Sequence, residues 1–223
     1  MYQSPYAKIK PKTKKPYTEI FLIRHCHPDY NKAKVLGEAN MPLSKHGIRQ
    51  RTYLTKKLVS LEIDKDYSSE FKRAQESAAL YIKKVNRQLF IDARLNEINW
   101  AHWVRVKYFN TTEESRKKKM ANHKEVDRQL DRMQTIARRT LADIYRKNKG
   151  KKIALFSHGN FIRALITGIL NADVIGFLSL EIFQSSISKL VIDRDGYVKI
   201  SYINDISHLP APPHEDLFST LVD

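Results

Sequence analysis

Two kinds of hydrophobic pattern run along this chain: short apolar runs, and longer stretches in which apolar residues recur every three or four positions. The two strongest runs are TEIFLI at 18–23 and KKIALF at 151–156, and both are typical of strands buried on two faces. DYSS at 66–69 and LFID at 89–92 are shorter strand candidates. The segment 187–203 holds two β-rich runs joined by a glycine-containing turn, which predicts a β-hairpin.

Helical spacing predicts helices over about 71–86, 112–147 and 161–170. Ser44 is a suitable N-cap for a further helix that ends near residue 61. The apolar contacts expected from that helix are Ile48, Leu54, Leu58 and Leu61. The longest predicted helix carries one apolar stripe, which consists of Val126, Leu130, Met133, Ala137, Leu141 and Ile144.

The alternation of strands and helices predicts an α/β fold. We expect a three-layer sandwich, in which a mostly parallel central sheet has helices on both faces. The pattern places this domain at 19–209, after a basic, flexible arm at 1–18 and before a polar tail at 210–223.

Composition and charge narrow the class of protein. Cys26 is the only cysteine, so the chain cannot form an internal disulfide, and this suits a reducing compartment such as the cytoplasm. Charged residues interrupt the apolar segments too early for a membrane span. The net charge of +16, concentrated partly at 8–15 and 116–119, favours anionic partners. Solvated surfaces explain those two runs at least as well. The basic charge alone therefore leaves nucleic acid as a disfavoured alternative partner, and the oligomeric state is not predicted.

Basic and imidazole side chains follow three of the predicted strands. Arg24 and His25 come directly after the first strand, and Arg73 follows DYSS within a few residues. His158 follows KKIALF and opens the next helix. Because ligands of parallel α/β sheets bind beyond the carboxyl ends of the strands, we expect these side chains to converge. Guanidinium forks and the free N–H groups of a helix start suit a phosphoryl group.

Such a pocket also suits covalent chemistry. A neutral imidazole is a competent nucleophile toward phosphorus, and the leaving alcohol needs a proton from an acid whose pKa is raised by burial. Glu97, in RLNEINWAHW, is the best candidate for this acid because it lies among apolar and aromatic residues. Glu113 and Glu114 are weaker candidates, since their position at a helix start already explains them.

A metal site is the alternative interpretation of the first loop. His25, His27 and Asp29 have the spacing H-x-H-x-D, which suits a metal ion. Arg24 argues against this alternative because its fixed positive charge would repel a metal cation. We therefore expect no metal and no other cofactor.

Six segments, in order, resemble the histidine phosphatase superfamily, in particular its phosphoglycerate-mutase-like branch. The segments are LIRHCHPDYN (22–31), MPLSKHGIRQ (41–50), YSSEFKRAQESA (67–78), RLNEINWAHW (94–103), FSHGNFIRAL (156–165) and NDISHL (204–209). One such motif would be a weak signal, but six in the family's order form a specific one. Cys26 departs from the pattern, because the family usually has glycine there.

The resemblance implies roles for individual residues. The implied catalytic residues are His25 as the phosphorylated nucleophile, Glu97 as the proton donor, and His158, which would hold a phosphoryl oxygen. The implied phosphate-binding residues are Arg24, Arg73 and Asn31.

The resemblance also implies an activity. Mutases of the family carry a longer insertion after the acidic residue than this chain does, so we expect a metal-independent phosphomonoester hydrolase acting on a phosphorylated small molecule. The alternatives are phosphoglycerate-mutase-like phosphoryl transfer, and a catalytically weak family member that binds polyanions or a protein partner.

Overall fold

The computed structural model describes residues 14–99, 112, 114 and 124–210, and a six-stranded sheet lies at its centre. The strands are β1 (Thr18–Arg24), β2 (Lys65–Ser68), β3 (Leu89–Ile91), β4 (Lys152–Ser157), β5 (Ile187–Ile192) and β6 (Val198–Asp205). Their order across the sheet is β3-β2-β4-β1-β5-β6. The first four strands run parallel, whereas β5 is antiparallel to β1 and β6 is antiparallel to β5. The predicted mostly parallel α/β sheet is confirmed.

Helices cover both faces of this sheet. They are α1 (Ala33–Leu36), α2 (Lys45–Val59), α3 (Lys72–Val85), α4 (Lys124–Lys147), α5 (Gly159–Leu170) and α6 (Val174–Ser179). Alternate residues of β1 enter different cores because successive side chains of a strand point to opposite faces. Ile20 and Leu22 pack in the core that contains residues of α4 and α5. Phe21 and Ile23 pack in the core that contains residues of α2 and α3. The three predicted layers are therefore present.

Helix α2 begins as predicted but buries a different face. The Ser44 hydroxyl caps it by accepting the N–H of Gly47 at 3.1 Å. Leu54 and Leu58 are fully buried, but Ile48 is 46% exposed, so the predicted core contact of Ile48 is wrong. Gln50 is buried on this helix instead, because its side chain binds the main chain of the first loop.

Helix α4 carries the predicted apolar stripe, and every member of that stripe is buried. The described part of this helix begins at Lys124; the other residues of the predicted 112–147 helix, apart from 112 and 114, lie outside the described residues. Within the described ranges, no helix has both the length and the apolar composition needed to cross a membrane. The remaining predicted strands and helices are found within two residues of their expected bounds.

The inner end of the predicted arm is attached to the domain. Thr18 already belongs to β1, and the main-chain N–H of Lys14 donates to the Asp193 carboxylate at 3.2 Å. The ammonium group of Lys14 pairs with Asp195 at 2.8 Å. Two acidic residues beside the turn of the predicted β5–β6 hairpin thus hold the chain that enters β1. Residues 1–13 and 211–223 lie outside the described residues.

Strand register brings three loops to one edge of the sheet. Arg24, the last residue of β1, is paired with Ser157, the last residue of β4. Ser68, the last residue of β2, is paired with Phe156 of β4. Because β4 lies between β1 and β2, the residues that follow these three strands start within about 10 Å of one another.

Candidate active site

His25 lies at the centre of this edge and is 3% exposed. Its Nδ1 is 2.8 Å from the carbonyl oxygen of Cys26. Because a carbonyl oxygen can only accept, Nδ1 carries the proton of the neutral ring and Nε2 keeps its lone pair. The Nε–H of Arg73 donates to that Nε2 at 3.2 Å. His25 is thus presented with a fixed tautomer, and its nucleophilic nitrogen accepts a hydrogen bond from a guanidinium.

Side chains of α2 and α3 hold the main chain that follows His25. The Ser77 hydroxyl accepts the N–H of Cys26 at 2.8 Å, and the Gln50 amide oxygen accepts the N–H of His27 at 2.7 Å. The main-chain N–H of Ser44 donates to the His27 carbonyl at 3.0 Å. Gln50 and Ser77 fall inside two segments that carry the family resemblance, but that pattern assigned them no role.

Ser185 fixes the same loop from the other side. Its main-chain N–H lies 3.2 Å from the Arg24 carbonyl and 3.1 Å from the His25 carbonyl. Ser185 has a φ of +66°, a left-handed conformation that is uncommon for residues other than glycine. Its hydroxyl contacts Nε2 of His208 at 3.1 Å. Sequence patterns gave no signal for Ser185, because its role depends on tertiary contacts.

His158 stands next to His25 in the position predicted from the strand ends. The two ring centroids are 5.0 Å apart, and His158 is fully buried. Its Nε2 lies 2.7 Å from the hydroxyl of Ser69. Its Nδ1 has no hydrogen-bond partner among the described residues.

Arg24 and Arg73 bring two guanidinium groups to the histidines. Arg24 donates from Nη1 to the Ile182 carbonyl, and its buried Nε is without a partner in the described part of the chain. The guanidinium of Arg24 lies against the start of α5, where a Cβ added at Gly159 would stand 3.4 Å from the Arg24 Nε. Arg73 is buried, and its Nη1 and Nη2 contact Glu38, a residue that the sequence analysis missed.

Glu97 closes the cluster at the start of α5. Its Oε1 accepts main-chain N–H groups from Ile98 at 3.0 Å, Asn160 at 3.1 Å and Phe161 at 3.3 Å. Burial raises the pKa of this carboxyl, and the charge of Arg24 opposes that shift. The structure therefore holds an acid with a raised pKa beside an arginine of the cluster.

Asn31 is the candidate that the structure leaves outside the cluster. It lies exposed in a short 3₁₀ turn, Tyr30–Lys32, and joins none of the hydrogen bonds of the cluster among the described residues. The rival acid Glu113 lies outside the described residues, and Glu114 is exposed.

Cys26 and His27 support the loop rather than the cluster of site residues. Cys26 is fully buried and does not have a positive φ, so a side chain is tolerated where the family usually has glycine. Burial raises the pKa of its thiol to about 11, which makes the thiol unreactive near neutral pH. The His27 ring binds the Ser44 hydroxyl at 2.9 Å. No group of three or more His, Cys, Asp or Glu residues within the described ranges is arranged to hold a metal ion.

The two clustered histidines stay neutral near pH 7. Burial lowers the pKa of His25 well below its usual value, and the charges of Arg24 and Arg73 lower it further. Burial also lowers the pKa of His158 well below its usual value, with His25 and the two arginines adding to the effect. Neutral His25 is the form that a nucleophile requires.

These lowered pKa values predict that stability falls in mild acid. Below about pH 6.5 the unfolded chain takes up protons that the folded chain does not, so the free energy of unfolding decreases as pH drops. Each such histidine adds a slope of about 1.4 kcal/mol per pH unit between its unfolded and folded pKa values. Urea unfolding between about pH 7 and pH 5 measures this slope. In His25→Asn the slope should be smaller by the contribution of one histidine, about 1.4 kcal/mol per pH unit. Equal slopes for the two proteins would contradict a neutral, buried His25.

A family model and a curated relative both match most of the chain. The family model that matches the chain covers residues 20–205 and is described as the histidine phosphatase superfamily (branch 1). The probable phosphoglycerate mutase GpmB of Enterobacter sp. (strain 638) is 25% identical over 211 residues, which are 89% of this chain and 98% of that relative.

Solved structures share the fold. A phosphoserine phosphatase of Entamoeba histolytica, in complex with 3-phosphoglyceric acid, has a TM-score of 0.68 and 22% identity, over 86% of this chain and 99% of its own. A mycobacterial glucosyl-3-phosphoglycerate phosphatase, solved with VO3, has a TM-score of 0.62 and 19% identity, over 83% of this chain and 98% of its own.

Proposed function

The chain belongs to branch 1 of the histidine phosphatase superfamily, and from this premise we propose that it hydrolyses phosphomonoesters through a phosphohistidine formed on His25. The proposal takes the reaction to need no metal ion and no other cofactor. A cytoplasmic location also stays a prediction.

The observation that carries the proposal is a pair of buried nitrogen atoms that lack partners beside the nucleophile. The Nε of Arg24 and the Nδ1 of His158 have no hydrogen-bond partner in the part of the chain that the structure describes. Buried polar groups are nearly always hydrogen-bonded, and each exception requires an explanation. An anion with several oxygen atoms, such as a phosphoryl group, would accept a bond from the Arg24 Nε–H. It would also accept one from the His158 Nδ1–H in the tautomer whose Nε2 accepts the Ser69 hydroxyl proton.

In the first proposed step, Nε2 of His25 attacks phosphorus and the bond to the ester oxygen breaks. The Nδ1–H of His25 remains bound to the Cys26 carbonyl, which stabilises the positive charge that develops on the ring. Arg24 and Arg73 stabilise the charge on the phosphoryl oxygens. Protonated Glu97 donates its proton to the leaving alcohol.

In the second proposed step, water attacks the phosphohistidine and inorganic phosphate leaves. The Glu97 carboxylate now accepts the proton of the attacking water and returns to its acid form. The raised pKa of Glu97 supports the donor role, because burial favours the protonated form of the carboxyl.

The direct test is hydrolysis of p-nitrophenyl phosphate in the presence of EDTA. We expect turnover that EDTA leaves unchanged and that orthovanadate inhibits, because vanadate resembles a pentacoordinate phosphorus centre. Loss of turnover with EDTA would overturn the proposed metal independence. Phosphate binding without any turnover would favour a family member that binds anions without catalysis.

A second test separates proton donation from phosphoryl binding. Glu97→Gln should lower kcat/KM for an alkyl phosphate by about 10²-fold or more, because an alkoxide leaves slowly without a proton. The loss should be about tenfold or less for p-nitrophenyl phosphate, whose phenolate leaves without protonation. Steady-state kinetics on the two substrates measures the difference, and equal losses on both would contradict the assigned donor.

Phosphoryl transfer of the mutase kind is the second candidate. The names of the curated relatives favour it, since the GpmB proteins are described as probable phosphoglycerate mutases. Incubation with 3-phosphoglycerate distinguishes the two activities, because a hydrolase releases inorganic phosphate whereas a mutase forms the isomeric ester.

A further inference from the structure

Glu38 places a negative charge at the mouth of the candidate phosphoryl site. It lies in a 3₁₀ turn, Glu38–Asn40, and its side chain is 60% exposed, whereas that of Arg73 is 3% exposed. The Arg73 Nη2 donates to the Glu38 carboxylate at 3.0 Å, and Nη1 donates to the Glu38 carbonyl at 2.7 Å. The Arg73 guanidinium therefore binds both the main chain and the carboxylate of Glu38, and the carboxylate contact directs the Glu38 side chain toward Arg73.

Glu38 would share its arginine with the substrate. In the proposed reaction, Arg73 binds the phosphoryl group next to His25, so a carboxylate and a phosphoryl group contact one guanidinium. Two anions held this close repel each other, and the repulsion weakens phosphate binding. If Glu38 only held Arg73 in place, it would weaken substrate binding without any compensating benefit. This cost suggests that Glu38 also contacts the substrate.

The direction from which the substrate enters places its alcohol part beside Glu38. His25, Arg73 and His158 are almost completely buried, so the phosphoryl group must enter first and the rest of the ester must point toward solvent. Glu38 lies on that solvent side. Its Oε1 accepts the bond from Arg73, and its Oε2 makes no hydrogen bond to any residue that the structure describes. The second oxygen is therefore available to a hydrogen-bond donor on the substrate.

We propose that Glu38 selects substrates by the charge of the alcohol that leaves. The favoured class is phosphorylated amino alcohols, whose ammonium group pairs with Oε2 of Glu38 close to the ester oxygen. Esters that carry a carboxylate or a second phosphate at that place are disfavoured by repulsion. This inference rests on the proposed hydrolysis and names the substrate class for it.

Three two-carbon esters test the inference: O-phosphoethanolamine is cationic at the far end, ethyl phosphate is neutral there, and phosphoglycolate is anionic. We expect Glu38→Gln to lower kcat/KM for O-phosphoethanolamine by about tenfold and to raise it for phosphoglycolate by about tenfold. Comparing each ester between the two proteins cancels the difference in acidity of the leaving alcohols. The matched control is Glu62→Gln, an 84%-exposed glutamate that precedes β2 at the opposite edge of the sheet.

The outcomes separate this inference from the proposed hydrolysis. Suppose that both proteins turn over the esters and that the ratio of kcat/KM for O-phosphoethanolamine to kcat/KM for phosphoglycolate is the same in wild type and Glu38→Gln. That result overturns charge selection and leaves hydrolysis intact. If wild type turns over neither these esters nor p-nitrophenyl phosphate, hydrolysis is overturned; if it turns over p-nitrophenyl phosphate alone, hydrolysis is intact. In both cases calorimetric Kd values for the three esters decide the inference. An order of Kd values that does not change in Glu38→Gln overturns charge selection.

Discussion

His25→Ala should lower kcat by about 10³-fold or more on every phosphomonoester that the wild-type chain hydrolyses. The variant keeps both guanidinium groups and His158, so it should still bind vanadate or phosphate, but no nitrogen remains to accept the phosphoryl group. Steady-state kinetics measures the loss, and circular dichroism shows whether the variant is folded. Brief incubation with a ³²P-labelled ester should label the wild-type chain on His25 and leave the variant unlabelled.

His27→Ala is the matched control for this experiment. His27 lies two positions along the same loop, and its ring binds the Ser44 hydroxyl rather than the cluster. We expect its removal to change kcat by about tenfold or less, because it acts only through the loop conformation. Equal losses in the two variants would favour the metal site suggested by the H-x-H-x-D spacing, and undiminished turnover by His25→Ala would exclude the assigned nucleophile.

Gly47→Ala should destabilise the fold and impair catalysis together. A Cβ at this position would stand 2.0 Å from the His27 carbonyl oxygen and 3.0 Å from its carbon, and both are main-chain atoms. Because no side-chain rotation relieves this contact, helix α2 or the loop after His25 must move. We expect a loss of about 2–3 kcal/mol in the free energy of unfolding, which is the upper part of the range for overpacked sites. We also expect about a tenfold loss of kcat. Urea unfolding and kinetics on p-nitrophenyl phosphate measure the two effects.

Gly168→Ala provides the comparison for that variant. Gly168 is also helical, but its added Cβ would stand 3.1 Å from the Gln134 Cβ. A shift of a few tenths of an ångström relieves that contact, whereas the 2.0 Å contact at Gly47 requires a much larger one. The gain in helix propensity should partly offset the contact at Gly168, so we expect a net change within about 1 kcal/mol and unchanged kinetics. A Gly47→Ala variant as stable and active as wild type would contradict the tight packing of α2 against the loop.

The convergence of Arg24, His25, Arg73 and His158 was predictable because it follows from one topological rule. Parallel strands end at the same edge, and the apolar runs that form β1 and β4 are strong enough to be recognised without a structure. The buried environment of Glu97 was also suggested by its apolar neighbours.

Residues whose roles depend on tertiary contacts could not be predicted in this way. Glu38 lies in a polar loop with no periodicity, and its pairing with Arg73 is set by how that loop folds back over the sheet. Ser185 acts through its main chain, so its side-chain type gives almost no information. Ile48 is a residue for which the sequence predicted too much. Its helical spacing predicted a core contact, but the buried face of α2 contains Gln50 instead. Only the bond between Gln50 and the main chain of His27 explains why this polar side chain is buried.

The reversed direction of β5 has a consequence for how this protein can be altered. Because β5 runs opposite to β1, the connection that enters it arrives at the catalytic edge, where Ile182 and Ser185 bind the main chain or side chain of Arg24. A lengthened or shortened connection at 180–184 would thus disturb the nucleophile without any substitution near it. A change in the turn at 193–196, at the far end of the same strand, would instead act on the contacts of Asp193 and Asp195 with Lys14.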